Sequence, residues 1–469
     1  MVFSSLLFTF YFLPVVLLLY YLSKEKYRNY VLLAASMCFY AYGEPKFIFV
    51  MVGSIALNYI VALLIDRSRQ MSKLLMIIDI LLNTGILFFY KYLNFGISIT
   101  NSLFHTQIRP LAVLLPIGIS FFTFQAMSYV IDVYRGTVKV QKNPLYVALY
   151  ISFFPQLIAG PIVRYHDIEK QLSVRSCDVI LFGDGVKRFL IGFCKKVILA
   201  NNLAIVAEEV FGMQITTVNP LVLWLGSICY SLQIFYDFSG YSDMAIGLGK
   251  MFGFTFAENF NYPYISRTVT EFWRRWHISL SFWFRDYVYI PLGGSRGSVS
   301  KNIRNMLVVW LLTGLWHGAN FTFIFWGLGY FVLLVFEKYL LKPSERKNRL
   351  LKFFWQIITL LCVNWGWVIF NSLSLKSGLR YCLSMLGFYV RRFEWDAAMQ
   401  LYTREYGVYL FFGLLFTIPF TKVLETKIAG SKAARIQNIM IPLICAALFL
   451  WAVSYLVLGA HNPFIYFNF

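Results

Sequence analysis

From Asn305 to Phe336 the chain runs for 32 residues without one Lys, Arg, Asp or Glu. Nothing else in it constrains the fold as much. As one helix the run would be about 48 Å long at 1.5 Å per residue, against a hydrocarbon core of about 30 Å. It must tilt, break or form two pieces. Gly314, Gly318, Gly327 and Gly329 are where it can bend or admit another backbone. One ionisable side chain lies inside it, His317 in "GLWHGANFTFIFWG". An imidazole there loses its hydration and needs partners within the protein.

The surrounding sequence is of the same kind. Hydrophobic residues make up 59% and charged residues 14%, where a soluble domain carries about 25% charged. The fold class expected is an all-α polytopic membrane protein. Seven scattered cysteines form no CxxC pair and keep no metal-ligand spacing with a histidine, so neither a disulfide framework nor a zinc site is expected. The formal charge of +20 fits nucleic acid or membrane topology, and its distribution selects topology, because cytoplasmic loops collect Lys and Arg.

Five apolar segments, 3–22, 29–44, 46–65, 74–90 and 112–134, obey one orientation. Their inside loops hold Lys24, Lys26 and Arg28, then Arg67, Arg69 and Lys73, then Arg135, Lys139 and Lys142. The loop 92–111, with only Arg109, falls outside, as does the N-terminus. No basic residue precedes the first span, so it does not read as a cleavable signal. Segment 145–165 is interrupted by Pro155, Gly160 and Pro161 and is expected to be kinked or re-entrant. Segments 185–210 and 218–237 are helical with interior polar groups. Lys338, Lys342, Arg346, Lys347, Arg349 and Lys352 mark another inside loop. Segment 353–371 then goes out, 407–421 returns to Lys422, Lys427, Lys432 and Arg435, and 438–459 leaves the C-terminus outside. The polar stretch 372–404 could form a small outer cap. A single membrane domain, 1–469, is expected, with N-terminal spans in 1–135, a core in 145–336 and C-terminal spans in 353–469.

The stretch from Glu271 to Gly294, "EFWRRWHISLSFWFRDYVYIPLGG", projects as one amphipathic helix. Trp273, Trp276, His277, Leu280, Trp283, Phe284 and Tyr287 share a face. Arg274, Arg275, Ser279, Ser281, Arg285 and Asp286 take the other, with Ile278 and Phe282 as exceptions. Such a helix should lie at an interface or slope into the bundle, and Pro291, Gly293 and Gly294 end it. His277 then points toward protein, as His317 does. Either alone could be a buried histidine held by a backbone carbonyl. Two in adjacent apolar elements point to a site, whereas His105, His166 and His461 lie in polar or terminal stretches.

A neutral imidazole in dry surroundings is a general base, and a second nearby could orient it. The chain has no GxSxG, HExxH or Walker-type loop, so nucleophile, metal and ATP chemistry lack their motifs. A base without a protein nucleophile suits transfer of a pre-activated group, such as a thioester, onto a hydroxyl or thiol. A transporter or flippase would also use buried histidines and aromatic walls.

Several stretches together resemble the membrane-bound O-acyltransferase family, in particular its alginate and peptidoglycan O-acetylation branch. They are "MVFSSLLFTFYFLPVVLLLYYL" at the N-terminus, "FFPQLIAGPIVRY" at 153–165, "QIFYDFSGYSDMAIGLG" at 233–249, "NFNYPY" at 259–264, "FWRRWHISLSFWFRDYVYIPLGGSRG" at 272–297 and "GLWHGANFTFIFWG" at 314–327. The resemblance implies a helical bundle around a transmembrane tunnel, with buried, tilted and re-entrant helices. It implies His317 as the catalytic histidine and His277 as the second motif histidine. The donor would be acetyl-CoA or a carrier thioester from the cytoplasm, with no tightly bound cofactor. The acceptor would be an exported polysaccharide, reached directly or through the serine of an extracytoplasmic SGNH-type partner. A variant within the family would carry D-alanine toward teichoic acid. The setting would be a bacterial cytoplasmic membrane, with lipids and no nucleic acid as partners. Asp237 and Asp243 could form salt bridges or shape the tunnel, and Trp316, Trp273 and Trp276 would pack around the histidines. Arg285 and Arg296 are candidates for the phosphates of CoA; anionic lipid headgroups would suit them equally.

Overall fold

A computed structural model of the chain describes residues 1–342, 348–421, 426–427 and 431–465, with only the backbone for 432–438. Of the basic loop residues, Arg346, Lys347 and Lys422 lie outside the described residues. All regular structure among the described residues is helical, and seven helical stretches are long and apolar enough to cross a membrane. They are Ile48–Arg67, Ser72–Lys91, Val179–Gly212, Pro220–Met251, Phe321–Leu341, Arg349–Asn371 and Ile439–Val457. The described residues divide into two compact units.

The first unit comprises Met1–Phe189 and Met244–Ala257. The expected first span, 3–22, is a π-turn at Phe8–Phe12 running into α1 (Leu13–Leu22). α2 (Arg28–Gly43), α3 (Ile48–Arg67) and α4 (Ser72–Lys91) follow near their expected bounds. α3 and α4 are joined by reciprocal amide hydrogen bonds between Asn58 and Asn83, both 3.2 Å. Two expectations fail here. The loop 92–111 contains a helix, α5 (Leu93–Phe104), against which Asn94 and Asn101 fold the chain back by bonding the backbones of Leu111 and Ile108. The segment 112–134 becomes helical only at α6 (Ile119–Arg135), and all its residues from Ile119 to Val133 are buried. It packs on α3 and α4, which explains its polar Ser120, Thr123, Gln125 and Ser128: it is a core helix of the unit. The interrupted segment is broken as expected, into α7 (Pro144–Ser152) and α8 (Phe154–Leu157). The Tyr150 hydroxyl ties it to the carbonyls of Gln125 and Val163. α9 (Tyr165–Ser173) follows, and the unit takes up the start of α10 (Val179–Cys194).

The second unit comprises Leu190–Asp243 and Glu258–Phe469. A π-turn at Lys195–Ala200 links α10 to α11 (Asn201–Gly212), and α12 (Pro220–Met251) lies against this stretch. Then come α13 (Val269–Arg275), α14 (Ile278–Phe284), α15 (Val299–His317), α16 (Phe321–Phe336), α17 (Arg349–Asn371), α18 (Leu375–Met385), α19 (Ala397–Leu415) and α20 (Lys432–Val457). α18 and the start of α19 occupy the polar stretch 372–404.

Candidate active site

The charge-free run breaks into two pieces, as its length requires. α15 ends at His317, Gly318 to Asn320 turn the chain, and Asn320 caps α16 by accepting from the Thr322 amide. The two helices return antiparallel and in backbone contact. A Cβ on Gly314 would stand 2.5 Å from the Phe323 carbonyl oxygen, and one on Gly327 would stand 2.5 Å from that of Trp310. Gly318 faces the Phe323 ring instead, and Gly329 faces open space. The tight hairpin fixes where α15 ends, and so fixes His317. Its ring lies edge-on to Trp326 and to Phe370, each at 5.1 Å between centroids.

The second histidine corrects the sequence reading. Glu271–Gly294 is not one helix: α13 stops at Arg275 and α14 starts at Ile278. His277 stands between them in the left-handed region, φ +43°. Asn259 makes this break. Its side-chain oxygen accepts from the Ser279 amide (3.1 Å) and hydroxyl (2.9 Å) and sits 3.2 Å from His277 Nδ1. The Ile278 amide donates to the Asn259 carbonyl (2.9 Å). Ser279, expected on the polar face, is therefore buried. The aromatic face is otherwise as expected: Trp276, Leu280, Trp283, Phe284 and Tyr287 are buried, and Arg274 and Arg285 are exposed. His277 is 2% exposed, and burial pushes its pKa down to about 3. Its ring lies 4.6 Å from Phe238 and 5.8 Å from Trp316.

A pocket opens at His317. Its walls are Ile234, Asp237, Phe238, Trp276, Trp316, Trp367, Phe370, Phe464 and Ile465. His317 and Asp237 are the ionisable groups on this lining. His277 is not on this lining, and its ring contacts two residues that are, Trp316 and Phe238. Trp316 and Trp276 line it, whereas Trp273 belongs to the cluster with Trp310, Trp326 and Tyr330. Asp237 forms a buried ion pair with Lys196 at 2.7 Å. Asp243 pairs with Lys195 at 2.6 Å and stays off the lining. Arg285 is held by Asp286 at 2.7 Å, Arg296 is exposed, and neither lines the pocket.

Sequence reasoning missed Asn259, Lys196, Trp367, Phe370 and the residues at the C-terminal end. Asn259 carried a signal, since it opens the family-like stretch "NFNYPY". Lys195 and Lys196, adjacent within an apolar helix, carried another.

A multi-pass helical membrane protein with a histidine in an aromatic pocket is the class these features define. The chain matches the model of the membrane-bound O-acyltransferase family over residues 137–375. It is 46% identical to the "Probable alginate O-acetylase" of Pseudomonas aeruginosa over 397 residues, 83% of this chain and 75% of the relative. It is 36% identical to the "Peptidoglycan O-acetyltransferase" of Helicobacter pylori over 422 residues, 82% of this chain and 80% of the relative. It is 34% identical to the "Teichoic acid D-alanyltransferase" of Bacillus subtilis over 281 residues, 55% of this chain and 68% of the relative. The chain belongs to the membrane-bound O-acyltransferase family and is an O-acyltransferase.

Proposed function

We propose that this chain moves an acetyl group from a cytoplasmic thioester, acetyl-CoA or a carrier thioester, to an extracytoplasmic hydroxyl, with His317 as general base. The observation that carries this is the placement of the His317 imidazole on the wall of an otherwise largely aromatic pocket. As the acceptor oxygen bonds to the acyl carbon, its proton passes to the imidazole. The carbon–sulfur bond breaks, and the proton leaves with the departing thiolate. Trp326 and Phe370 hold the ring edge-on, and Trp316 and Trp276 exclude water from the reacting ester. His277 acts at one remove, by setting the position of Trp316.

The names of the relatives support a polysaccharide acceptor, alginate-like or a cell-wall glycan. The acetyl would reach it through the serine of an SGNH-type partner. The membrane is the bacterial cytoplasmic membrane, with both termini outside and the chain working as one catalytic domain. Arg285 and Arg296 meet the donor's phosphates at the cytoplasmic face. A second reading, D-alanyl transfer from a carrier protein, is favoured by the teichoic acid D-alanyltransferases among the relatives, which match about half of this chain.

The test is reconstitution in proteoliposomes with labelled acetyl-CoA or D-alanyl carrier thioester supplied on one side. The parent should consume the acetyl thioester, and His317→Ala should lose about 100-fold or more of that rate without a change in thermal midpoint. Parental rates in the variant would refute the assignment of His317. Turnover of the D-alanyl donor alone would select the second reading.

A further inference from the structure

The pocket has one wall that belongs to no helix. Residues 461–465 follow α20 as a strap that is non-helical from 461 to 464, and Phe464 and Ile465 line the same pocket as His317. Four of its five residues are tied by a polar contact. His461 Nε2 lies 3.0 Å from a carboxylate oxygen of Glu208. The Asn462 side-chain oxygen accepts from Asn201 Nδ2 at 3.1 Å. The Pro463 carbonyl accepts from Lys196 Nζ. The Ile465 amide donates to Asp237 Oδ2 at 2.8 Å. Three of these contacts converge on Lys196, Asp237 and Asn201, and Lys196 Nζ itself bonds the Asn201 side-chain oxygen at 2.7 Å.

We infer that Lys196 is a positioning residue: through its pair with Asp237 it seats the C-terminal strap as the wall that closes the pocket of His317. An ammonium has three hydrogens to donate. Lys196 Nζ donates to Asn201 and to the strap's Pro463 carbonyl, and forms its ion pair with Asp237 at 2.7 Å. Asp237 gives one oxygen to Lys196 and the other to the strap's Ile465 amide. The side chains of Lys196 and Asp237 are only 3% and 4% exposed. A buried pair of this kind is a poor source of net stability, so its service to the strap explains it better than helix packing does. The π-turn at Lys195–Ala200 helps, because it aims two consecutive lysines at different carboxylates of α12, Lys195 at Asp243 and Lys196 at Asp237. With the strap seated, Phe464 lies 5.1 Å from the Tyr241 ring and completes the aromatic lining. With it released, the pocket loses Phe464 and Ile465 together, while the helices that carry His317 stay in place. The strap is thus a seal that keeps water from the ester in transit. Its value to catalysis rests on the proposed role of His317; closure of the pocket does not.

The experiment uses the full chain in detergent micelles with a reporter cysteine, Ile234→Cys, at a pocket-lining position that is 5% exposed. A small charged methanethiosulfonate is applied, and labelling is read site by site by mass spectrometry. Native Cys229, 1% exposed on the same helix, reports loss of the fold. Lys196→Met and Ile465→Pro, which removes the amide donated to Asp237, are each compared with the parent. Position 234 should label at least tenfold faster in both variants while Cys229 stays protected, and hydrolysis of donor thioester should rise relative to transfer. Equal rates at position 234 in parent and variants would overturn the proposal. So would parallel labelling of Cys229 in Ile465→Pro, which decides the matter should Lys196→Met fail to fold. If labelling behaves as expected and His317→Ala keeps parental transfer, the strap stands and the catalytic reading falls.

Discussion

The two motif histidines both contact Trp316, and the protein holds them in different ways. His317 closes a helix, leans edge-on against Trp326 and Phe370, and opens onto the pocket. His277 stands in a break between helices, sealed from solvent and pinned by Asn259. Asn259 Oδ1 accepts from Ser279, so its contact with His277 Nδ1 is a hydrogen bond donated by the imidazole, which fixes the tautomer. Two residues of one type, neighbours through one tryptophan, thus differ in the single property that decides chemistry: whether a ligand can reach the ring.

The largest expected effect tests that division directly. His317→Gln should cut acyl transfer by about 100-fold or more at an unchanged thermal midpoint. His277→Asn should keep turnover within about tenfold of the parent and lower the midpoint instead. Asn is the substitution to use, since it tolerates the left-handed backbone, whereas Ala there adds a strain of about 1–2 kcal/mol. A turnover loss in His277→Asn as large as that of His317→Gln, at an unchanged midpoint, would break the comparison. Asn259→Ala sharpens it from the other side: it strands buried donors on His277 and Ser279, at a cost of about 1–3 kcal/mol readable in chemical unfolding.

The next effect concerns the frame that positions His317. Gly314→Ala and Gly327→Ala each force a methyl to 2.5 Å from a carbonyl oxygen of the facing helix. Each should destabilise the hairpin by about 1–3 kcal/mol and reduce transfer by moving the end of α15. Gly329→Ala meets nothing within 4 Å and should leave stability and transfer at parental values. Equal losses at all three glycines would mean that close backbone approach does not place the histidine.

These particulars show what the sequence made legible. A charge-free run too long for one helix had to fold back, and its glycines marked where, because burial and length act locally. The pocket histidine followed from the same run. The break at His277 was hidden because the aromatic periodicity continues across it; only Asn259, 18 residues upstream, forces the turn. The burial of α6 was hidden for a similar reason, since an apolar segment reads alike whether lipid or protein surrounds it. Lys196 could be seen as a charge in an apolar helix, but its partners on α12 and on the strap are brought to it only by the fold.

The smallest expected effect is in pH dependence, and its sign separates His277 from one histidine of the other unit, His166. The hydrogen bond that His166 Nδ1 donates to the Asp132 carboxylate, at 2.8 Å, raises the pKa of His166 above its ordinary 6.5. Its folded form therefore holds a proton more tightly than the unfolded chain. That contribution is fully present below about pH 6.5 and fades as pH rises through the folded value. It should be small, because the His166 side chain is 36% exposed and solvent screens the pair. For His277 burial lowers the pKa from 6.5 to about 3. Below pH 6.5 the unfolded chain takes up a proton that the folded form refuses, so stability falls as pH drops from 6.5 toward 3. Thermal midpoints measured from pH 5 to pH 9 should show both limbs. Asp132→Asn should flatten only the alkaline limb and His277→Asn only the acid one. If His277→Asn left the acid limb as steep as in the parent, the ring at that position would be taking up a proton in the folded state, and its confinement to a neutral, structural part would be wrong.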